Sequence, residues 1–276
     1  EGAERKSAGR KRKAKRMKVC VLASGSKGNS TFIKSGDTSI LIDCGLSAKK
    51  VAESLNELGE EASALSGILI THEHTDHIAG LKDFCGRYRI PVYVHEKGAE
   101  ALVGRSGIDV RLLRPYVGAL PIGDLFMEYL PLSHDAAYCV GYKLTGVRGS
   151  ICTVTDTGCF PEGAENFFKD STLAVLESNH DRTMLIKGNY PERLKARIMG
   201  LKGHLSNEQA AQMLLKLPEM GVKEVWLGHI SENNNTEELA MSVSLEALKS
   251  NGICEGRDIE VKTLVQRKRS LYKDVG

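Results

Sequence analysis

The chain has 276 residues, 41% of them hydrophobic, with a formal net charge of +3. That length can bury a sizeable core, and no apolar run reaches the ~18 residues of a membrane span, which argues for a soluble protein without membrane partners. The seven cysteines are scattered and never spaced C-x-x-C, so neither a disulfide framework nor a thiolate zinc site is suggested, and a reducing, cytoplasmic setting fits best.

The charge is unevenly placed. Residues 1–18 hold nine Lys/Arg against Glu1 and Glu4, which leaves 29 basic and 33 acidic residues in the remainder. Residues 1–16 have almost nothing to bury and are expected to form a disordered basic tail, with Met17 a candidate start and 17–276 a single domain. The tail is either an arm for nucleic acid or an idle leader, and a charge run alone does not separate the two.

From Val19 the chain alternates apolar runs with turn signals. VCVLA (19–23), STFIKS (30–35) and TSILID (38–43) read as hairpin-like strands. Between the first two, ASGSKGNS (23–30) is a turn, lacking the G-x-x-x-x-G-K-[ST] order of a phosphate loop. GILIT (67–71) and PVYV (91–94) follow, then LFMEYL (125–130), YCVGYKL (138–144), ICTVTD (151–156), TLAVLES (172–178), VKEVWLGH (222–229) and IEVKTLV (259–265). Helical patterns lie between them. The clearest is SNEQAAQMLLKLP, with a Ser206–Gln209 capping box, an apolar face of Ala210, Met213, Leu214 and Leu217, and Pro218 as terminator. In GHISENNN, Asn235 with Glu238 reads as a second capping box. Hairpins followed by strand–helix alternation predict an α/β fold of two mixed sheets flanked by helices.

One stretch carries the chemistry. In THEHTDHIAG, residues 71–80, His72, His74, Asp76 and His77 fall on a loop where a buried strand hands over to a helix. His72 and His74 are two apart on extended backbone and share a direction, whereas Asp76 and His77, on the first helical turn, diverge from them, so one loop can serve two metal ions. The H-E-x-x-H pattern fails, because Asp76 stands four after His72. Further donors close apolar runs: His134 in LSHDA, Asp156 in TVTDTG and His229 in LGHIS. A carboxylate such as Asp156 suits a bridge between two cations. Imidazole and carboxylate ligands accept zinc or manganese, with iron also allowed, and leave positions open for a water that becomes the nucleophile.

These residues, with ASGSKGNS, ILIDCG, TDTG, ESNHD, GHLSN and GHISENNN, resemble the metallo-β-lactamase superfamily, and within it the WalJ/YycJ-type, exonuclease-like branch, over residues 17–266. The resemblance implies an αββα four-layer sandwich and two divalent metal ions, one on His72, His74 and His134, the other on Asp76, His77 and His229, bridged by Asp156. It implies a phosphodiesterase using a metal-bridging hydroxide, acting 5′-to-3′ as an exonuclease on double-stranded DNA in bacterial repair, alongside repair proteins. A hydrolase of small thioesters, lactones or β-lactams, and a ribonuclease, are the alternatives the same ligands allow. Asp76 and His204 are the expected catalytic groups, His204 as proton donor to the leaving oxygen, and Ser26, Lys27, Asn29, His180 and Ser206 the expected substrate contacts. Asp135 and Glu73 are candidates to orient the neighbouring histidines, and His95 is expected to be structural.

Overall fold

In the computed structural model, which describes residues 16–265 and 268–275, two seven-stranded sheets face each other. The first runs in chain order through β1 (Met17–Ala23), β2 (Ser30–Ser35), β3 (Thr38–Ile42), β4 (Gly67–Leu69), β5 (Val92–His95) and β6 (Leu113–Tyr116). The second holds β7 (Leu120–Ile122), β8 (Leu125–Leu132), β9 (Cys139–Gly146), β10 (Gly149–Val154), β11 (Leu173–Glu177), β12 (Glu224–Gly228) and β13 (Glu260–Thr263). A last strand, β14 (Lys273–Val275), pairs antiparallel with β1 and completes the first sheet.

Each sheet begins with antiparallel hairpins and ends parallel: β3 to β6 and β10 to β13 run parallel. Parallel neighbours need crossovers. The first sheet receives α1 (Ala48–Glu57), α2 (Thr75–Ile78), α3 (Leu81–Tyr88) and α4 (Glu96–Ser106). The second receives α5 (Arg182–Lys187), α6 (Glu192–Met199), α7 (Asn207–Leu214) and α8 (Glu237–Ser250). The helices cover the outer faces, which gives the αββα layering.

The strand sequences explain why both faces are covered. Alternate side chains leave a strand on opposite faces, so a strand buried on both reads as an unbroken apolar run. In β1, Val19 and Val21 enter the core between the sheets, while Cys20 and Leu22 enter the core under α1, α3 and α4. In β12, Trp226 faces the other sheet, and Val225 and Leu227 face the helical layer with Met213, Leu214 and Leu248.

Every strand segment read from sequence forms a strand. Three strands that were not read, β6, β7 and β14, lie at sheet edges. Pro115 and Pro121 in the first two disguise the pattern, since proline cannot donate to a ladder and is tolerated at an edge; β14 is three residues long and mostly charged. The Ser206–Gln209 capping box is present, but α7 stops at Leu214, before Pro218. The other capping box is not formed: Thr236 caps α8 by accepting from Leu239 N at 3.1 Å. Asn235 is buried instead, its amide donating to the carbonyls of Ser178 and Asn179 at 2.9 and 3.1 Å. The expected basic tail lies outside the described residues except for Arg16. Among the described residues no helix is long and apolar enough to cross a membrane.

Segment 43–45 is pressed against the loop that follows β4. Cys44 N donates to His77 O at 2.8 Å, Asn29 N to Asp76 O at 2.7 Å, and Gly45 N to Asn29 O at 2.9 Å. A Cβ on Gly45 would stand 1.7 Å from Asp76 O and 2.6 Å from Asn29 N, both backbone atoms that cannot rotate away. Gly45→Ala is therefore expected to destabilise the fold by about 3 kcal/mol, as overpacking at rigid sites does. Gly86→Ala on α3, where nothing lies within 4 Å of the new methyl, should be neutral or stabilising by up to about 1 kcal/mol. Denaturant midpoints of the two variants check this, and similar midpoints would contradict it.

Candidate metal centre

Most of the donors stand where strands end. His72 follows β4, His134 follows β8, Asp156 follows β10, Glu177 closes β11 and His229 follows β12. Open α/β sheets gather ligands at the carboxyl ends of their strands, and here both sheets deliver to one edge. His74 is the N-cap residue of α2, which places Asp76 and His77 in that helix's only turn.

Among the described residues four overlapping groups have their ligand atoms within 4.8 Å of one another: His72, His74 and His134; Asp76, His77 and His229; His72, His77 and Asp156; and Asp156, Glu177, His204 and His229. In the first group His134 Nε2 is 3.3 Å from His74 Nδ1. In the second, Asp76 Oδ2 lies 3.5 Å from His77 Nε2 and 3.7 Å from His229 Nε2. Asp156 stands between them, its Oδ2 3.2 Å from His77 Nε2 and its Oδ1 3.9 Å from His134 Nε2.

The imidazoles are held from behind. His77 Nδ1 meets Asp43 Oδ2 at 2.7 Å, and Asp43 also accepts from Thr71 N and Oγ1, each at 2.9 Å. His72 Nδ1 meets Thr71 Oγ1 at 3.1 Å, and His134 Nδ1 meets Gly203 O at 3.1 Å. His229 Nδ1 and His204 Nδ1 both reach Glu177 Oε1 at 2.8 Å, while Glu177 Oε2 accepts from Thr157 N and Leu205 N at 3.1 Å. With acceptors at their Nδ1 atoms, the rings of His72, His77, His134 and His229 carry a proton there and turn Nε2 to the centre, as a ligand requires.

The backbone is strained at the same place. Among the described residues five non-glycine positions have positive φ, and three of them are Asp43 (62°), Asp156 (63°) and His229 (53°). Such conformations cost of order 1–3 kcal/mol each and persist only when surroundings impose them.

The donor set fits divalent cations. Buried polar atoms nearly always find partners, yet His72 Nε2, His229 Nε2 and Asp156 Oδ2 make no hydrogen bond in the structure. Without a cation, protons supply the missing positive charge. Burial pulls His77 and His229 down, but Asp156 outweighs it, with Asp43 at His77 and with Asp76 and Glu177 at His229, so that His77 is held well above the usual imidazole range and His229 at about 10. Burial pushes Asp156 up, and His229 and His77 overcome it and hold it well below the carboxylate range. A cation entering here displaces those protons.

The centre opens into a cavity of about 230 Å³ whose lining includes Ser26, Tyr190, Leu194, Arg197, His204 and Ser231 beside the donors. Of the expected substrate contacts, only Ser26 lines it. Lys27 is turned to Glu232 at 2.6 Å and lines a neighbouring cavity. Asn29 lies beneath, its amide 3.2 Å from Asp76 Oδ2 and 3.0 Å from His77 Nε2. His180 and Ser206 are buried: burial takes His180 down to about 4, and the Ser206 hydroxyl is spent on the α7 cap. Asp135 pairs with Arg197, and Glu73 accepts from Ala137 N at 2.8 Å. His95 caps α4, accepting from Lys97 N at 3.2 Å, and touches Tyr129, a structural role. Sequence reasoning missed Asp43 and Arg197 and gave Glu177 no role. Asp43 and Glu177 carry the signal that marked Asp156, an acid closing an apolar strand.

A profile of the metallo-beta-lactamase superfamily matches residues 23–147. Exodeoxyribonuclease YycJ of Bacillus anthracis is 36% identical over 245 residues, 87% of this chain and 92% of that protein. Exodeoxyribonuclease WalJ of Streptococcus pneumoniae is 33% identical over 250 residues, 89% of this chain and 93% of the relative. The crystal structure of the metallo-beta-lactamase fold protein YhfI from Bacillus subtilis superposes with a TM-score of 0.70 at 16% identity, covering 93% of this chain and 99% of that one, a likeness of fold. The two sheets, the donors gathered at their shared edge and the likeness to YycJ and WalJ over most of both chains agree, and the chain belongs to the metallo-β-lactamase superfamily of metallo-hydrolases.

Proposed function

We propose that this protein is a dinuclear metal-dependent DNA exonuclease that digests double-stranded DNA 5′-to-3′ in the cytoplasm. The observation that carries the reading is the pair of three-donor groups with Asp156 close to both, more donors than one four-coordinate ion takes. The substrate class draws on YycJ and WalJ, both named exodeoxyribonucleases.

His72, His74 and His134 would hold one cation and Asp76, His77 and His229 the other, with Asp156 shared; zinc and manganese suit these donors, and iron is compatible. When bound, two such ions lower the pKa of water towards neutrality and neutralise charge on a phosphodiester. The protein's own groups do the rest. Asp43 and Glu177 fix ring orientation through Nδ1, which sharpens ligand geometry. His204 lines the cavity with its Nδ1 tied to Glu177, leaving Nε2 to give a proton to the departing alkoxide. Ser26, at the mouth, is in reach of substrate. Thioester hydrolysis would use the same donors but expels a thiolate, which needs no proton donor; lactone and β-lactam hydrolysis would use one, and against them the reading draws on the names of YycJ and WalJ.

Asp156→Asn removes the shared anionic oxygen. Elemental analysis after exhaustive dialysis is expected to find two equivalents of metal per wild-type chain and at most one in the variant. Two ions retained by the variant would remove Asp156 from the bridge.

His204→Ala is expected to keep both ions and the fold. It should lose roughly 10²–10⁴-fold on duplex DNA, the usual scale of general acid catalysis, and at least tenfold less than that on an activated aryl phosphodiester, whose leaving group needs no proton. Equal losses on both substrates would end the proton-donor assignment, and a lost metal would make His204 a ligand.

A further inference from the structure

The cavity at the metal centre has an asymmetric lining. Histidines apart, the only cationic side chain among its lining residues is Arg197. It stands on α6 with Leu194 and Ile198; Leu194 is three residues before it and four before Ile198, the spacings that place side chains side by side on a helix, and all three line the cavity. Tyr190, just before α6, extends the apolar strip and is fixed by a 2.9 Å hydrogen bond from Asn233 Nδ2 to its hydroxyl.

Arg197 is anchored by one end only. Its Nε donates to Asp135 Oδ2, and no other partner holds the guanidinium among the described residues. Asp135 Oδ1 in turn lies 3.5 Å from His134 Nε2 and 3.9 Å from His74 Nε2. The guanidinium therefore stands one carboxylate beyond the ligand nitrogens, its two Nη groups free and about half its side chain exposed. Guanidinium Nη groups form a planar fork that matches two oxygens of a phosphate. The charge of a phosphate acted on at the centre would be met by the cations held there, and Arg197, which lines the same cavity from α6, is left to meet a further phosphate. The phosphate that Arg197 reaches is hence the next one along a strand. Leu194, Ile198 and Tyr190 beside it supply an apolar face for the sugar and base of that nucleotide, since bases pack on apolar and aromatic surfaces.

We propose that Arg197, positioned by Asp135, binds the phosphate flanking the scissile one, with the α6 strip holding its nucleoside. This rests on the phosphodiesterase reading and adds what makes the site select a polynucleotide over a small ester. The face on α6 has no counterpart in what a thioester or lactone would require.

Arg197→Met is the test, compared with wild type on two substrates: a 5′-phosphorylated DNA duplex and bis(4-nitrophenyl) phosphate, which has a scissile phosphate and no neighbour. The expected result is a 10- to 100-fold fall in kcat/KM on DNA, mostly through KM, and a fall on the aryl diester at least tenfold smaller. Arg197→Lys keeps the charge without the fork and should recover part of the loss. A binding measurement independent of turnover accompanies this: on the Asp156→Asn background, the slope of log affinity for the duplex against log salt should shrink by about one when Arg197 is replaced, one phosphate contact fewer. Equal losses on both substrates, an unchanged salt slope, or metal lost from Arg197→Met would each overturn the proposal. Wild type inactive on both substrates would instead overturn the phosphodiesterase reading, and the salt slope would still judge Arg197.

Discussion

The structure depends on concentrated, buried negative charge that lacks its full complement of positive charge. Asp43, Asp156 and Glu177 are all buried within a few ångströms of one another's histidines. Burying an isolated carboxylate is prohibitive, and a paired one is tolerated only when its oxygens are satisfied. Asp43 and Glu177 are satisfied, each taking backbone N–H groups on one side and imidazole on the other. Asp156 Oδ2 is not. Two carboxylates thus spend their charge on orienting ligands, and the third keeps an oxygen for something absent from the polypeptide. Positive φ at Asp43, Asp156 and His229 adds strain that the surrounding ladders hold in place.

The sandwich explains how such a cluster can be assembled from positions as far apart as Asp43 and His229. Each sheet changes from antiparallel to parallel at a fixed point, β3 in one and β10 in the other. The turns after β4, β10, β11 and β12 then open on the same edge. With both faces of each sheet covered, the strands cannot slide without moving whole apolar sets, so register between sheets is held by the core, and the loops inherit that precision. Gly45, packed against the carbonyl of Asp76, shows how closely the first sheet supports the ligand loop.

Much of this was legible in the sequence, for identifiable reasons. Strands buried on both faces announce themselves as apolar runs, and the seven donors announced themselves as ligand types crowded on one loop or closing such runs; the structure brings all seven together. Edge strands escaped because Pro115 and Pro121 break the pattern there and cost nothing. Asn235 was read as a helix cap because a cap and a buried amide bridge share the same short polar sequence; only the loop from β11 folding beneath it decides between them. His180 and Ser206 were expected as substrate contacts from the motifs ESNHD and GHLSN, but a place in a motif does not fix depth. Their backbones bridge each other, His180 with Ser206, and that pairing pulls both side chains inward. Arg197 was invisible for the opposite reason: nothing near it in sequence marks it, and its meaning comes from Asp135, which lies on the loop after β8.

Glu177 ties these parts into one device. A single oxygen, Oε1, takes hydrogen bonds from two imidazoles, one belonging to the second donor group and one to the proposed proton donor. If His204 gives up a proton at Nε2, its electron density shifts toward Nδ1 and its bond to Oε1 weakens. The oxygen then becomes a better acceptor for His229, and His229 a stronger donor to whatever it holds. The same coupling runs in reverse when His204 is protonated again. Asp43 has no such second client among the ligand-turning groups beyond His77 and the neighbouring Thr71, so the two buried carboxylates differ in kind. One orients a single imidazole, while the other joins the proposed proton donor and a proposed ligand through one oxygen.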